Sequence, residues 1–167
     1  SIDPAVTANT DSDMTGMVVA GIDVNGVAYV LEDHTDRYTP QQWASKAIEL
    51  YRKHMADRIV AEKNQGGDMV RHTLHTEDEN VPVKLVHASR GKMARAEPVS
   101  ALYEQGKVKH VKGLNDLEDQ MVQWEPLGST GSPDRLDALV WAITDLSLNG
   151  YAKPQLVLAY SNAKGLK

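Results

Sequence analysis

Met14-Thr15-Gly16-Met17-Val18-Val19-Ala20-Gly21-Ile22 and Val27-Ala28-Tyr29-Val30-Leu31-Glu32-Asp33-His34 flank the pair Asn25-Gly26. Both runs are rich in aliphatic and β-branched side chains. Asn and Gly accept the positive φ of a type I′ turn at little steric cost. The stretch therefore predicts an antiparallel hairpin. Downstream, Thr39-Pro40-Gln41-Gln42 opens a helix. Thr39 can cap it, Pro40 suits the first helical position, and Gln42 completes a capping box. Trp43, Ala47, Leu50 and Tyr51 then recur at helical spacing through about residue 56. Arg58-Ile59-Val60-Ala61-Glu62 is a short buried strand that ends in a carboxylate. A loop at 64–67, a helix at 68–74 and a strand at 83–87 follow. The helix expected over 92–105 contains Pro98, which either starts its main part or kinks it. After Gly106 come a short edge strand at 107–111 and an amphipathic helix at 114–124. A last helix starts at Ser132-Pro133 and runs to Asn149-Gly150.

Upstream of the hairpin, Ser1-Ile2-Asp3-Pro4-Ala5 reads as the end of a strand whose beginning lies on a longer chain, and 6–13 as a loop. Hairpin strands followed by alternating helix and strand predict an α/β fold. Its mixed sheet joins antiparallel hairpin strands to parallel ones and carries helices on both faces. Residues 1–149 make one domain, and 150–167, with three lysines and no acid after Tyr151, read as a C-terminal tail.

Composition narrows the chemistry. The 167 residues carry 18 Lys+Arg and 23 Asp+Glu, a formal charge of −5, with 41% hydrophobic and 25% charged side chains. That is globular usage. The absence of cysteine removes disulfides, thiolate zinc sites and thiol nucleophiles together. Phe is absent and aromatics are only 5%, which argues against a base-stacking platform. No apolar run approaches a membrane span, so no membrane partner is expected. No G-x-x-x-x-G-K-[ST] is present, hence no phosphate-binding loop of that kind. No helix-turn-helix or zinc-finger pattern supplies sequence reading. His72 and His75 have helical i, i+3 spacing, but no matched further ligands accompany them, and surface histidines are the expected reading.

Acidic residues stand at element ends. Asp3 ends the first strand and Glu62 the strand after the capped helix; Asp134 and Asp137 open the last helix one turn apart, so both can look toward one point. If the strands of Asp3 and Glu62 are parallel neighbours, the two carboxylates sit side by side. Clustered carboxylates repel unless cations neutralise them. Hard oxygen donors select Mg²⁺ or Mn²⁺. Ordinary roles compete at each position: helix-dipole acids at 134 and 137, a turn residue at Asp3, a lysine partner for Glu62.

The order of hairpin, capped helix, Val60-Ala61-Glu62-Lys63-Asn64-Gln65-Gly66-Gly67, Ser89-Arg90-Gly91-Lys92-Met93-Ala94-Arg95-Ala96-Glu97-Pro98-Val99 and Ser132-Pro133-Asp134-Arg135-Leu136-Asp137-Ala138-Leu139-Val140-Trp141-Ala142 resembles the C-terminal nuclease domain of tailed-phage large terminase subunits. The resemblance runs from Ile2 to about residue 148. It implies a ribonuclease-H-like fold of the resolvase and integrase kind, and a metal-dependent endonuclease that cuts double-stranded DNA concatemers during genome packaging. It implies two divalent cations, Mg²⁺ or Mn²⁺, and catalytic acids at Asp3, Glu62 and Asp134. Asp137 is a further candidate ligand. The chain departs from the family in how little precedes Asp3.

The basic residues complete the expectation. Lys63 follows Glu62, and Arg90, Lys92 and Arg95 cluster at a helix start, where Lys92 and Arg95 share a face. Such charges suit duplex backbone contacts, and a solvated helix face is the competing reading. The resemblance places this stretch near the acidic site, so Lys63, Arg90, Lys92 and Arg95 are the expected DNA contacts. Further partners implied are the portal protein, the small terminase subunit and an ATPase domain of a longer chain, in the host cytoplasm. The tail is a candidate portal or procapsid contact, or simply solvated. The alternatives are a Holliday-junction resolvase and a catalytically silent DNA- or portal-docking domain.

Overall fold

A computed structural model of the chain describes residues 1–5, 14–63, 67–111, 113–125 and 132–149. The expected loop at 6–13, residues 64–66 of the expected loop at 64–67 and the expected tail at 150–167 lie outside the described residues, and Gly67 opens the following helix instead of ending that loop. The elements run β1 (Ile2–Asp3), β2 (Gly16–Ile22), β3 (Ala28–Asp33), α1 (Pro40–Lys53), β4 (Ile59–Glu62), α2 (Gly67–Glu77), β5 (Val83–Val86), α3 (Lys92–Glu104), β6 (Val108–His110), α4 (Asn115–Gln123) and α5 (Asp134–Ile143). The six strands form one sheet in the order β5-β4-β1-β2-β3-β6. β2 is antiparallel to β1 and β3, whereas β4 is parallel to β1 and β5, and β6 to β3. This is the mixed sheet that the alternation of elements predicts.

The two-residue period of a strand divides the core between the faces. On one face Ile2, Met17, Ile59 and Ala61 meet Trp43, Ala47, Ile48 and Leu50 of α1 and Val70 and Leu74 of α2. On the other, Val18, Ala28, Val30 and Val108 meet Val99 of α3, Leu117 of α4 and Leu136, Leu139, Val140 and Ile143 of α5. Met17 and Val18 are adjacent in sequence and lie in opposite cores, as the pleat requires. Among the described residues no helix is long and apolar enough to cross a membrane.

The capping box of α1 forms as read: the Gln42 N–H donates to Thr39 Oγ1 (3.3 Å), and the Thr39 N–H to Gln42 Oε1 (2.8 Å). The hairpin turn differs from the expected type I′. Only Gly26 takes positive φ, +82°, and Asn25 does not. The Asp23 carboxylate accepts the N–H groups of Asn25 and Val27, each at 2.9 Å, and the Gly26 N–H donates to the Asp23 carbonyl (3.0 Å). This Asx turn stabilises a wider loop that needs only the glycine in the left-handed region. Pro98 lies inside α3 rather than starting it. The last helix becomes a π-helical segment, Thr144–Leu148, after Ile143. Within that segment the buried Asp145 meets Arg58 Nε (2.9 Å) and Lys84 Nζ (2.5 Å).

One close approach fixes α5 on the sheet. A Cβ at Gly16 would stand 2.1 Å from the Asp134 carbonyl oxygen and 2.8 Å from its carbon. Both obstacles are backbone, so a flexible side chain cannot relieve them. Gly16→Ala should therefore cost about 2–3 kcal/mol. Calorimetry should read this as a Tm lower by roughly 5–10 °C for a domain of this size.

Candidate active site

Strand register builds the site. Ile2 of β1 pairs with Ala61 of β4 in parallel, which sets Asp3 beside Glu62. Ile2 and Ala61 point into the α1–α2 core, so the next residue on each strand points to the other face. That face is covered by α5. Asp3 also pairs with Gly16, the residue on which the start of α5 rests. Asp134 and Asp137 occupy the first turn of α5 and are buried, with 6% and 4% of their surface exposed; Glu62 is 7% exposed. The Asp134 carboxylate is held by the Met14 N–H, which donates to Oδ2 at 3.0 Å. The four expected acids thus converge at the carboxyl ends of β1 and β4.

The electrostatics follow from that convergence. Burial pushes the Asp3 carboxyl up to about 7, with Glu62, Asp137 and Asp134 adding repulsion and Lys92 opposing it. Lys92 Nζ lies 2.6 Å from Asp137 Oδ2 and 3.3 Å from Ser132 Oγ. Arg95, whose side chain is 12% exposed, reaches Glu62 Oε2 at 3.3 Å and Asp137 Oδ1 at 3.4 Å. Its guanidinium carbon lies 4.8 Å from the Trp141 ring centroid. Trp141 Nε1–H donates to Glu62 Oε2 at 2.5 Å.

The expected basic residues therefore divide. Lys63 and Arg90 are exposed, and the Lys63 N–H continues the β4–β5 ladder to the Val86 carbonyl (2.6 Å). Lys92 is exposed but its ammonium turns inward, and Arg95 lies between two of the acids. The cation that meets Glu62 is Arg95 of α3. His72 is exposed, and His75 Nε2 sits 3.3 Å from the Val81 carbonyl.

The chemistry of the donor set fits hard divalent cations: clustered carboxylate oxygens, with one carboxyl driven toward its neutral form by burial and by its acidic neighbours. As the side chains stand, among the described residues no three acids or histidines form a group that could hold one ion. Glu62 and Asp137 face Lys92 and Arg95 instead.

Trp141 is the residue that sequence reading missed. Its signal was its spacing: Asp134, Asp137, Trp141 and Asp145 fall at i, i+3, i+7 and i+11, one stripe along the last helix. The stripe tracks β4 from Glu62 at one end to the Asp145 ion pairs with Arg58 and Lys84 at the other. An open cleft of about 700 Å³ lies at that far end, lined by Arg58, Lys84 and Asp145 among others. There the buried acid already has two cationic partners, so among the described residues the crowding of acids lies at the Asp3 end.

The two ends predict opposite responses. Asp3→Asn removes a repelled carboxylate and should raise stability without added metal by about 1–2 kcal/mol. Asp145→Asn leaves Arg58 and Lys84 without their counter-charge and should lower it by about 2–3 kcal/mol. Urea denaturation at pH 8 in EDTA measures both, and shifts of the same sign would reject this assignment of charge.

The chain matches a family model described as the terminase RNaseH-like domain over residues 1–146. Among solved structures it is similar to the large terminase nuclease from the thermophilic phage G20c. The TM-score is 0.66 at 13% identity, over 86% of this chain and 78% of that one. It is also similar to T. thermophilus RuvC in complex with a Holliday junction substrate, with a TM-score of 0.53 at 15% identity over 91% and 94% of the two chains. A third likeness is to the yeast mitochondrial Holliday junction resolvase Ydc2, with a TM-score of 0.50 at 14% identity over 85% and 75%. No curated protein matches the chain. At these identities the three likenesses bear on fold.

Proposed function

Because the chain belongs to the terminase RNaseH-like domain family, we propose that it is a metal-dependent endonuclease that cuts double-stranded DNA during phage genome packaging. The observation that carries the reading is the convergence of Asp3, Glu62, Asp134 and Asp137 at the carboxyl ends of β1 and β4, where the acids raise the Asp3 carboxyl despite Lys92. Asp3, Glu62 and Asp134 are the catalytic acids in this reading. With Asp137 they would hold two divalent cations, Mg²⁺ or Mn²⁺. When bound, such ions supply Lewis acidity toward the phosphodiester and lower the pKa of an attacking water.

The chain's own residues do the positioning. Trp141 orients Glu62 through a buried hydrogen bond, and the Met14 N–H orients Asp134. The β1–β4 register fixes the spacing of Asp3 from Glu62. Close seating of α5 on Gly16 sets the depth of Asp134 and Asp137. Lys63 and Arg90 stand at the same edge of the sheet and meet the DNA phosphates; Lys92 and Arg95 join them once released from the acids. With a net charge of −5 and few such contacts, binding to DNA should be weak and salt-sensitive. Portal protein, small terminase subunit and an ATPase domain are the proposed partners, and the host cytoplasm the proposed location.

Supercoiled-plasmid cleavage tests the reading. Nicking and linearisation are expected with Mn²⁺ or Mg²⁺ and none with EDTA. Asp3→Asn should lose at least about 100-fold, since even residues that only support metal ligands cost 10–100-fold. An Asp3→Asn protein as active as wild type would reject the assignment. A four-way junction in the same assay separates the alternative carried by the likeness to the two resolvases, because paired symmetric nicks there would favour that activity.

A further inference from the structure

Lys92 and Arg95 occupy an unfavourable place for cations. Both lie in the first turn of α3, where the helix dipole is positive, and α3 starts at Gly91 with no side-chain cap. Arg95 is nearly buried, its contacts to Glu62 and Asp137 are long at 3.3 and 3.4 Å, and its Nε has no hydrogen-bond partner among the described residues. Charge-assisted pairs of good geometry are shorter, and a buried unmet donor costs free energy. What holds the two side chains inward is the negative charge facing them. Both oxygens of Asp137 are taken, Oδ2 by Lys92 and Oδ1 by Arg95, and Glu62 Oε2 is shared between Arg95 and Trp141. Among the described residues Lys92 and Arg95 contact Glu62 and Asp137, while Asp3 beside them is repelled by its acidic neighbours.

We infer that Lys92 and Arg95 are tethered counter-cations of the carboxylate cluster, and that a hard divalent cation entering there must displace them. The inference rests on the metal-dependent reading above and deepens it. Metal and side chains compete for the same oxygens of Asp137 and Glu62, so entry of one and departure of the other form a single exchange. The displaced ammonium and guanidinium are then free at the sheet edge that carries Lys63 and Arg90, where DNA phosphates would dock. The arrangement keeps the empty cluster from repelling itself apart and delays DNA contacts until the metal is in place. Arg95 leaves the face of Trp141 in this exchange, which gives it an optical signature independent of cleavage.

The test is Mn²⁺ binding to the whole chain by calorimetry, for wild type, Lys92→Met and Arg95→Met. Removing a competitor should tighten binding about tenfold in each variant, the scale of one charge-assisted hydrogen bond. Mg²⁺, which does not quench indole, should change the tryptophan fluorescence of wild type. That change should vanish in Trp141→Phe and shrink in Arg95→Met. Unchanged or weaker Mn²⁺ binding in the variants overturns the exchange, as does a fluorescence response that survives in Trp141→Phe. Lys92 is a surface side chain, so Lys92→Met decides the matter if Arg95→Met does not fold. If wild type binds Mn²⁺ and cleaves plasmid but the variants do not tighten, only the exchange fails. If wild type neither binds Mn²⁺ nor cleaves, the metal-dependent reading fails and takes the exchange with it.

Discussion

The backbone of α5 lies where a side chain on β2 would otherwise be. Gly16 has no Cβ, and the carbonyl of Asp134 fills that space. Most of the candidate site depends on this contact. It brings the first turn of the helix down to the sheet at the strand position paired with Asp3. A helix resting on ordinary side chains would stand farther off, and Asp134 and Asp137 would not share a site with Asp3 and Glu62. The contact also sets the line of α5 along the sheet, so that Trp141 reaches Glu62 and Asp145 reaches Arg58 and Lys84.

That line gives the molecule two electrostatic ends. At the far end a single buried acid is matched by an arginine and a lysine, an ordinary structural arrangement. At the near end the acids crowd together, and among the described residues Glu62 and Asp137 meet two cations that approach from the wrong pole of their own helix. Burial in a low-dielectric setting amplifies both cases, since unpaired charge is expensive there and paired charge roughly breaks even. The crowding of acids at one end, set beside the fully partnered acid at the other, separates a place suited to additional cations from one where cations are already supplied.

The sequence was informative wherever the chemistry is local. The capping box at Thr39 and Gln42, the glycine in the hairpin loop and the carboxylate at the end of each of two strands could all be read from neighbours a few residues apart. The turn type was misjudged because the Asp23 side chain, and not the Asn25-Gly26 pair alone, organises the loop. The Asp145 ion pairs at the end of the last helix were not visible, since they draw on residues 58, 84 and 145, far apart in the chain. Arg95 read as an expected DNA contact sharing a helix face with Lys92. Its inward turn depends on acids 33 residues before it and 42 after it in the chain.

The sequence by itself determined which residues could carry the chemistry and which elements hold them: acids at strand ends and at a helix start, bases at another helix start, and a mixed sheet to join them. Tertiary structure decided how these groups meet. Strand order placed Asp3 beside Glu62, a missing Cβ let Asp134 and Asp137 join them, and the approach of α3 supplied the cations. The reason is physical: secondary structure answers to periodicity and capping within a few residues, whereas a charge acts on whatever folding brings within a few ångströms of it.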